Sequence, residues 1–190
     1  MNVEVLEKGI SVASYLEQEK TSEIRHEYHH GNLIPMPGEK KKANIISGNI
    51  YEKIRRPLLQ QGYHTYFHDV KAAVQPGLIY RYPDVMVAPA TDKADEYLIF
   101  EPALLVEVAS SDSLATDRGV KKNEYTRLPS LIYYIIISQE EMLVELYSRI
   151  EDVWTFTFFT EPDEVLDLSR LGISLKLSEV YEFVDFTATE

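Results

Sequence analysis

The 190-residue chain contains no cysteine, a single tryptophan and no long hydrophobic run. The absence of cysteine excludes disulfides and metal sites built from thiolates. No apolar stretch approaches the ~20 residues that a membrane-spanning helix requires, so we expect no membrane insertion. The segment that begins at Met1 is charged and has no apolar signal-peptide core, which predicts a cytoplasmic location.

Positive charge is also scarce. The chain has 19 Lys and Arg residues against 31 Asp and Glu residues, a net charge of −12 and a pI near 4.9. This charge repels polyanions at long range and counts against nucleic-acid binding driven by bulk charge. A local basic groove, or a divalent ion that neutralises phosphate, is compatible with it. The length and the 45% hydrophobic content favour a single globular domain over residues 1–190.

The alternation of helix-like and strand-like segments predicts an α/β fold. We expect helices over 11–20, 42–59, 113–128 and 177–184, with Pro57 kinking or stopping the second, while Gly119 is an unfavourable residue within the third. We expect a strand pair over 25–36 and strands over 63–74, 79–88, 103–109, 131–138, 142–148 and 153–160. The strand–helix–strand unit between 103 and 137 requires a parallel pair. The sequence therefore predicts a central mixed β-sheet flanked by helices.

Glu107 is the residue that points most directly to chemistry. It lies in the apolar run 103–109, which predicts a strand buried on both faces. An ionised carboxylate there is costly unless a cation or a metal ion pairs with it. Asp84 begins the preceding strand, so the two carboxylates can lie on one face if these strands pair. Oxygen ligands of this kind suit Mg²⁺ or Mn²⁺. In the alternative, Asp84 caps a turn and Glu107 pairs with a buried Lys or Arg.

Three further side chains are placed to join these carboxylates. Asp117, Lys121 and Tyr125 are spaced four residues apart, so they share a face of the helix that follows the Glu107 strand. A lysine beside a metal-bound water can position the nucleophile or stabilise charge in the transition state. The alternative for Lys121 is a solvated surface residue. Glu27 can complete an acidic cluster, or it can be an ordinary surface glutamate.

These residues, in this order, resemble a known family. Pro83-Asp84, then Glu107-Val108-Ala109-Ser110, then Asp117-Arg118-x-x-Lys121-x-x-x-Tyr125 is similar to the Uma-two family of endonucleases. That family belongs to the PD-(D/E)XK restriction-endonuclease-like superfamily. The resemblance covers nearly the whole chain, including Met36-Pro37 near its start. It implies a restriction-endonuclease-like α/β fold.

The resemblance also implies roles for individual residues. Asp84 and Glu107 are implied as ligands of Mg²⁺ or Mn²⁺, assisted by the backbone carbonyl of Val108. Lys121 is implied as the superfamily's lysine, shifted into the helix from its usual position two residues after the glutamate. Glu27 matches the acidic position of the N-terminal segment.

The chain departs from the family at Asn44, near which members often carry a histidine. The loop after the glutamate strand also differs, because it continues as Ser111-Asp112 rather than with a proline.

The predicted function is metal-dependent hydrolysis of phosphodiester bonds in DNA. The cluster Lys40-Lys41-Lys42 can meet the phosphate backbone, or it is simply a solvated helix start. One alternative is a nuclease fold that has lost turnover and serves as a binding or regulatory module. Another is a structural role through self-association, since the aromatic segments 133–134 and 154–159 can supply the face of a homodimer.

Overall fold

The computed structural model describes residues 9–36, 38–92 and 94–187. Its helices are Val12–Glu19 (α1), Lys41–Gln60 (α2), Leu114–Thr116 (α3), Lys122–Tyr125 (α4) and Leu177–Val180 (α5), with a π-helical turn at Asp117–Lys121 and a 3₁₀ turn at Ser169–Leu171. Its strands are His26–His29 (β1), Asn32–Pro35 (β2), Tyr63–Phe67 (β3), Lys71–Gln75 (β4), Ile79–Arg81 (β5), Val85–Pro89 (β6), Leu98–Ile99 (β7), Leu104–Ala109 (β8), Tyr133–Ser138 (β9), Val144–Ile150 (β10), Val153–Phe159 (β11), Val165–Leu168 (β12) and Ile173–Lys176 (β13). Pro37 of the family-like pattern lies outside the described residues. Among the described residues, no helix is both long and apolar enough to cross a membrane.

The strands in this part of the chain form two mixed sheets and a hairpin. The larger sheet has the order β11-β10-β9-β8-β6-β3, and its β8 and β9 run parallel as the sequence predicted. The smaller sheet has the order β2-β1-β5-β4-β7, with β4 and β7 parallel. β12 pairs with β13. The predicted mixed α/β class is confirmed, although the sequence indicated one central sheet rather than two.

The core lies on both faces of the larger sheet. On one face α2 packs its buried residues, among them Ile46, Ile50 and Ile54, against Val85 and Val106 of β6 and β8. The second core cluster draws on the alternate residues of β6 and β8, with residues of β4 and β5 and of α4. Because β8 lies inside the larger sheet and between these two layers, every residue of that strand is buried.

Two segments that the sequence predicted as single strands are each divided between the two sheets. The segment 79–88 leaves the smaller sheet after Arg81 and enters the larger one at Val85, and Pro83 in the gap has no N–H for a ladder. The segment 63–74 is divided at His68 and Asp69, whose φ angles of 50° and 31° do not belong to a strand. The two gaps are adjacent, since the His68 amide donates to the Asp84 carbonyl at 3.1 Å.

Two helices also differ from the expectation. The helix α2 continues through Pro57 to Gln60, and the fully buried Leu58 packs its last turn into the core. The predicted helix over 113–128 is interrupted by a π-helical turn at Asp117–Lys121, which contains Gly119. Such turns are rare and frequently occur at functional sites.

The packing of α2 predicts unequal costs for two neighbouring truncations. Ile46→Ala should lower the free energy of unfolding by about 2–5 kcal/mol, because it leaves a cavity in place of a fully buried side chain. Ile45→Ala is the matched control, since Ile45 is 38% exposed on the same helix, and it should cost under about 1 kcal/mol. Urea denaturation measures both values. Similar losses for the two variants would contradict this orientation of α2.

Candidate active site

Asp84 directly precedes β6, and Glu107 lies on the neighbouring strand β8. β6 and β8 are antiparallel with Val85 opposite Val106, and Asp84 and Glu107 are the chain neighbours of this pair. The Asp84 amide donates to the Val106 carbonyl at 3.0 Å, and the Val108 amide donates to Asp84 Oδ2 at 2.5 Å. These strands pair, as a site shared by the two carboxylates requires, and the charge of Glu107 is close enough to raise the pKa of Asp84.

Glu107 is buried and already has two partners within the chain. Lys121 Nζ donates to Glu107 Oε2 at 2.9 Å, and the Tyr125 hydroxyl donates to Oε1 at 2.7 Å. Burial raises the pKa of Glu107 to about 7; the positive charge of Lys121 lowers it, whereas the negative charges of Asp117 and Glu27 raise it further. The carboxylate is thus incompletely neutralised by its surroundings.

Lys121 joins three carboxylates. Its Nζ lies 2.9 Å from Glu107, 3.3 Å from Asp117 and 3.6 Å from Glu27, and its side chain is only 12% exposed. Burial by itself lowers the pKa of Lys121, but the charges of these carboxylates outweigh burial and raise that pKa above its ordinary value. Lys121 therefore remains a cation, and it is not the solvated surface lysine of the alternative interpretation.

Glu27 is held by an arginine that the sequence analysis did not consider. Arg81 Nη1 donates to Glu27 Oε2 at 2.6 Å, while Nε and Nη2 of Arg81 each donate to Glu124 at 2.9 Å. The side chains of Glu27 and Arg81 are buried. Glu27 is thus no surface glutamate, and it lies beside Lys121. Arg81 interrupts a buried strand in the same way as Glu107, and that pattern was the signal available for it.

The cluster carries more negative than positive charge. Four carboxylates (Glu27, Glu107, Asp117 and Glu124) surround two cations (Lys121 and Arg81), an excess of two negative charges before Asp84 is included. Burial, and then the charge of Glu107, raises the pKa of Asp84 well above its ordinary value. Oxygen donors with uncompensated negative charge fit a hard divalent cation. The residues present therefore fit Mg²⁺ or Mn²⁺.

A pocket of about 280 Å³ opens beside Asp84 and contains two residues that the sequence analysis missed. His68 Nδ1 lies 3.0 Å from Glu39 Oε1, and Asn44 Nδ2 lies 3.4 Å from His68 Nε2. The hydrogen bond with Glu39 raises the pKa of His68, although burial opposes it. No local pattern marks Glu39 or His68, because they come from segments far apart in the sequence.

The basic cluster of the sequence lies next to this pocket along the chain. Lys40 precedes the first residue of α2 and directly follows Glu39, which lines the pocket. Lys41 is exposed, whereas the Lys42 ammonium lies 5.9 Å from the centre of the Phe186 ring. Lys40 and Lys41 thus stand at the start of a helix beside the acidic site.

Comparison with known proteins identifies similar chains. The family model Uma2, described as "Putative restriction endonuclease", matches residues 12–178. Two uncharacterised proteins of Synechocystis sp. (strain ATCC 27184 / PCC 6803 / Kazusa), sll1609 and slr1290, are similar in sequence. The first is 27% identical and the alignment covers 91% of this chain and 100% of the relative; the second is 28% identical, covering 93% and 94%.

A solved structure has the same fold. The crystal structure of a "putative nuclease belonging to DUF820" from Anabaena variabilis ATCC 29413 superimposes with a TM-score of 0.76. The match covers 92% of this chain and 99% of that one at 17% sequence identity. The TM-score shows that the two chains share a fold, and at this sequence identity the match shows no more than the fold.

The raised pKa of Glu107 predicts how stability depends on pH in metal-free buffer with a chelator. Because the folded state binds this proton more tightly than the unfolded chain, the free energy of unfolding should fall as the pH rises from 4.5 through about 7. Glu107→Gln removes this term. The difference in free energy of unfolding, variant minus parent, should therefore increase by on the order of 1–3 kcal/mol between about pH 5 and about pH 8.

Urea denaturation across this pH range provides the measurement. Glu23→Gln is the matched control, because Glu23 is exposed, and its curve should run parallel to that of the parent. A parallel curve for Glu107→Gln as well would contradict the raised pKa.

Proposed function

Since the chain belongs to the Uma2 family, we propose that it is a metal-dependent endonuclease that hydrolyses phosphodiester bonds in DNA. The observation that carries the proposal is the proximity of Asp84 to Glu107 at the paired strands β6 and β8, with Lys121 bound to Glu107. Two acids and a lysine in one buried cluster supply the groups that such hydrolysis requires.

Asp84 and Glu107 are the proposed ligands of Mg²⁺ or Mn²⁺, with the backbone carbonyl of Val108 as a third. The excess of buried negative charge supports this assignment, because a divalent cation would neutralise it. When bound, such an ion lowers the pKa of a coordinated water and neutralises charge on the scissile phosphate. The bond from the Val108 amide to Asp84 Oδ2 holds the aspartate against β8.

Lys121 is proposed to orient the attacking water and to stabilise the charge that develops on the phosphate. Because its pKa is raised, it acts as a hydrogen-bond donor and a cation rather than as a base. An ammonium has three hydrogens. Glu107 accepts one at 2.9 Å, and this contact must yield to a metal ion bound at that oxygen. The longer contacts to Asp117 and Glu27, at 3.3 and 3.6 Å, can be exchanged for contacts to substrate.

Glu27 is proposed to help position Lys121, whose Nζ lies 3.6 Å from Glu27 Oε1. Arg81 fixes the Glu27 carboxylate with a 2.6 Å hydrogen bond, so its orientation is set before substrate binds. An action of Glu27 through a second metal ion or a water stays a prediction. DNA is the proposed partner, and Lys40-Lys41-Lys42 beside the pocket is the proposed contact with its backbone.

One observation favours the alternative of a non-catalytic binding or regulatory module. Both oxygens of Glu107 are already engaged, by Lys121 and by Tyr125. A metal ion at Glu107 must compete with these contacts. The pairing of Glu107 with a buried lysine is also what the structural alternative for that residue predicted.

Self-association is a separate proposal. The edge strand β11 exposes Val153, Phe156 and Phe158. An exposed apolar edge strand is a template for pairing with another chain. Tyr133 and Tyr134 are buried in the inner strand β9 and cannot supply the predicted face. A homodimer through the aromatic segment of β11 stays a prediction.

Cleavage of supercoiled DNA in Mg²⁺ or Mn²⁺ tests the proposed activity. Glu107→Gln and Lys121→Met should each nick about 10²–10³-fold more slowly than the parent, the usual cost of one positioned electrostatic group. Lys122→Met is the matched control, because Lys122 Nζ lies 5.7 Å from the centre of the Tyr147 ring and forms none of these ion pairs. It should retain the parental rate.

The outcomes separate the candidate functions. Equal nicking by the parent and Glu107→Gln would assign the activity to a contaminant and refute the proposal. DNA binding without cleavage, unchanged in Glu107→Gln, would support the binding module instead.

Thermal unfolding tests the proposed metal ligand. Mg²⁺ or Mn²⁺ should raise the melting temperature of the parent more than that of Asp84→Asn, because a ligand that binds only the folded state stabilises it by mass action. The amide oxygen of the variant can still accept from Val108. Asp152→Asn, in an exposed turn, should shift like the parent. An equal shift in Asp84→Asn would count against this ligand.

A further inference from the structure

Asp84 has a second set of neighbours, on the side of the pocket. One ligand atom from each of Glu39, His68 and Asp84 lies within 4.8 Å of the other two. Small side-chain rotations close this spread around one ion, whose ligands lie about 2.1 Å from it. Between residues 9 and 187, leaving aside 37 and 93, the structure brings no other three acidic or histidine side chains this close.

The two carboxylates of this group favour a positive charge between them. One ligand oxygen of Glu39 and one of Asp84 lie within 4.8 Å of each other, and a cation between two carboxylates relieves their repulsion. Arg25 also lines the pocket, but its guanidinium bonds Asp69 at 3.2 Å and the Glu19 carbonyl at 3.2 Å. The pocket of about 280 Å³ has room for a hydrated ion.

The backbone at His68 is fixed in an unusual conformation. Residues 68 and 69 both have positive φ, which non-glycine residues seldom adopt. The His68 amide is bound to the Asp84 carbonyl at 3.1 Å. The imidazole is therefore held beside the aspartate by the main chain as well as by its own contacts.

Asn44 can set the tautomer that a metal ligand requires. Its side-chain amide lies 3.4 Å from His68 Nε2. A half-turn of this amide presents its oxygen to the Nε2 hydrogen, which leaves the lone pair of Nδ1 free on the side of Glu39. Metal-bound histidines commonly donate their second ring N–H to such an oxygen.

We propose that Glu39, His68 and Asp84 form a metal site with one nitrogen and two carboxylate donors, which binds first-row transition ions in preference to Mg²⁺. Imidazole suits these ions, whereas Mg²⁺ is bound by oxygen ligands and water. The site shares Asp84 with the proposed endonuclease centre, on whose assignment it does not otherwise depend. It lies on the pocket side of Asp84, and Glu107 is not part of it.

Calorimetric titration with Co²⁺ and with Mg²⁺ tests this site. The parent should bind Co²⁺ more tightly than Mg²⁺. His68→Asn should lose Co²⁺ affinity by at least about tenfold, since even the loss of a supporting hydrogen bond costs 10–100-fold, and should change Mg²⁺ affinity less. Asn tolerates positive φ, so the variant keeps the backbone of position 68.

One control, a second variant and a spectroscopic measurement accompany this titration. His64→Asn changes an exposed histidine on β3 outside the pocket and should bind both ions like the parent. Glu39→Gln removes a ligand without altering His68 and should also weaken Co²⁺ binding. Pulsed electron paramagnetic resonance of the parent with Mn²⁺ needs no variant, and it should detect coupling to a ¹⁴N nucleus.

The outcomes distinguish this site from the proposed function. Unchanged Co²⁺ affinity in His68→Asn and Glu39→Gln, together with no ¹⁴N coupling, would overturn the site even if DNA cleavage depends on Glu107. Loss of Co²⁺ affinity in both variants would support it, even if the parent cleaves no DNA with any metal and the proposed function fails.

Discussion

The ion pair between Lys121 and Glu107 is the interaction on which the site depends. Glu107 lies on an inner strand of a sheet that is covered on both faces. A carboxylate there must be paired, because burial alone disfavours its charge. Lys121 pairs with Glu107 and also lies near Asp117 and Glu27, while Arg81 holds Glu27 and Glu124. The pairing is incomplete, since carboxylates outnumber cations. A protein that retains such an imbalance in its interior sacrifices stability there, and sites of this kind are usually functional.

The fold builds this site at two of the places where the chain passes between its two sheets. One passage is at His68 and Asp69, and the other is at Tyr82-Pro83-Asp84. Both lie beside the first residue of β6. Asp84 therefore contacts β8 on one side and the pocket residues Glu39 and His68 on the other. The π-helical turn at 117–121 supplies the lysine from the helix that follows β8. Irregular backbone thus positions Asp84, His68 and Lys121 of the proposed site, while the regular strands beside it hold that backbone in place.

Local sequence patterns predicted the parts of this arrangement that are local. A charge within an apolar run identified Glu107, the spacing of four residues brought Lys121 and Tyr125 to one face, and the parallel pair of β8 and β9 followed from the connecting helix. The division of two predicted strands was missed, because Pro83 and the positive φ angles of His68 and Asp69 act against an otherwise strand-like pattern. The hairpin β12–β13 was missed, although its strands alternate exposed and buried residues. Glu39, His68 and Glu124 had no local signal, since their partners come from distant segments.

The most direct test of the account is a crystal structure with Mn²⁺ and its anomalous scattering. We expect an anomalous peak about 2.1 Å from oxygens of Asp84 and Glu107. The Lys121 ammonium should move away from Glu107 Oε2 to admit the ion. Density that leaves Lys121 on Glu107, with manganese bound elsewhere on the molecule, would contradict the claim that these two carboxylates are built to hold a cation.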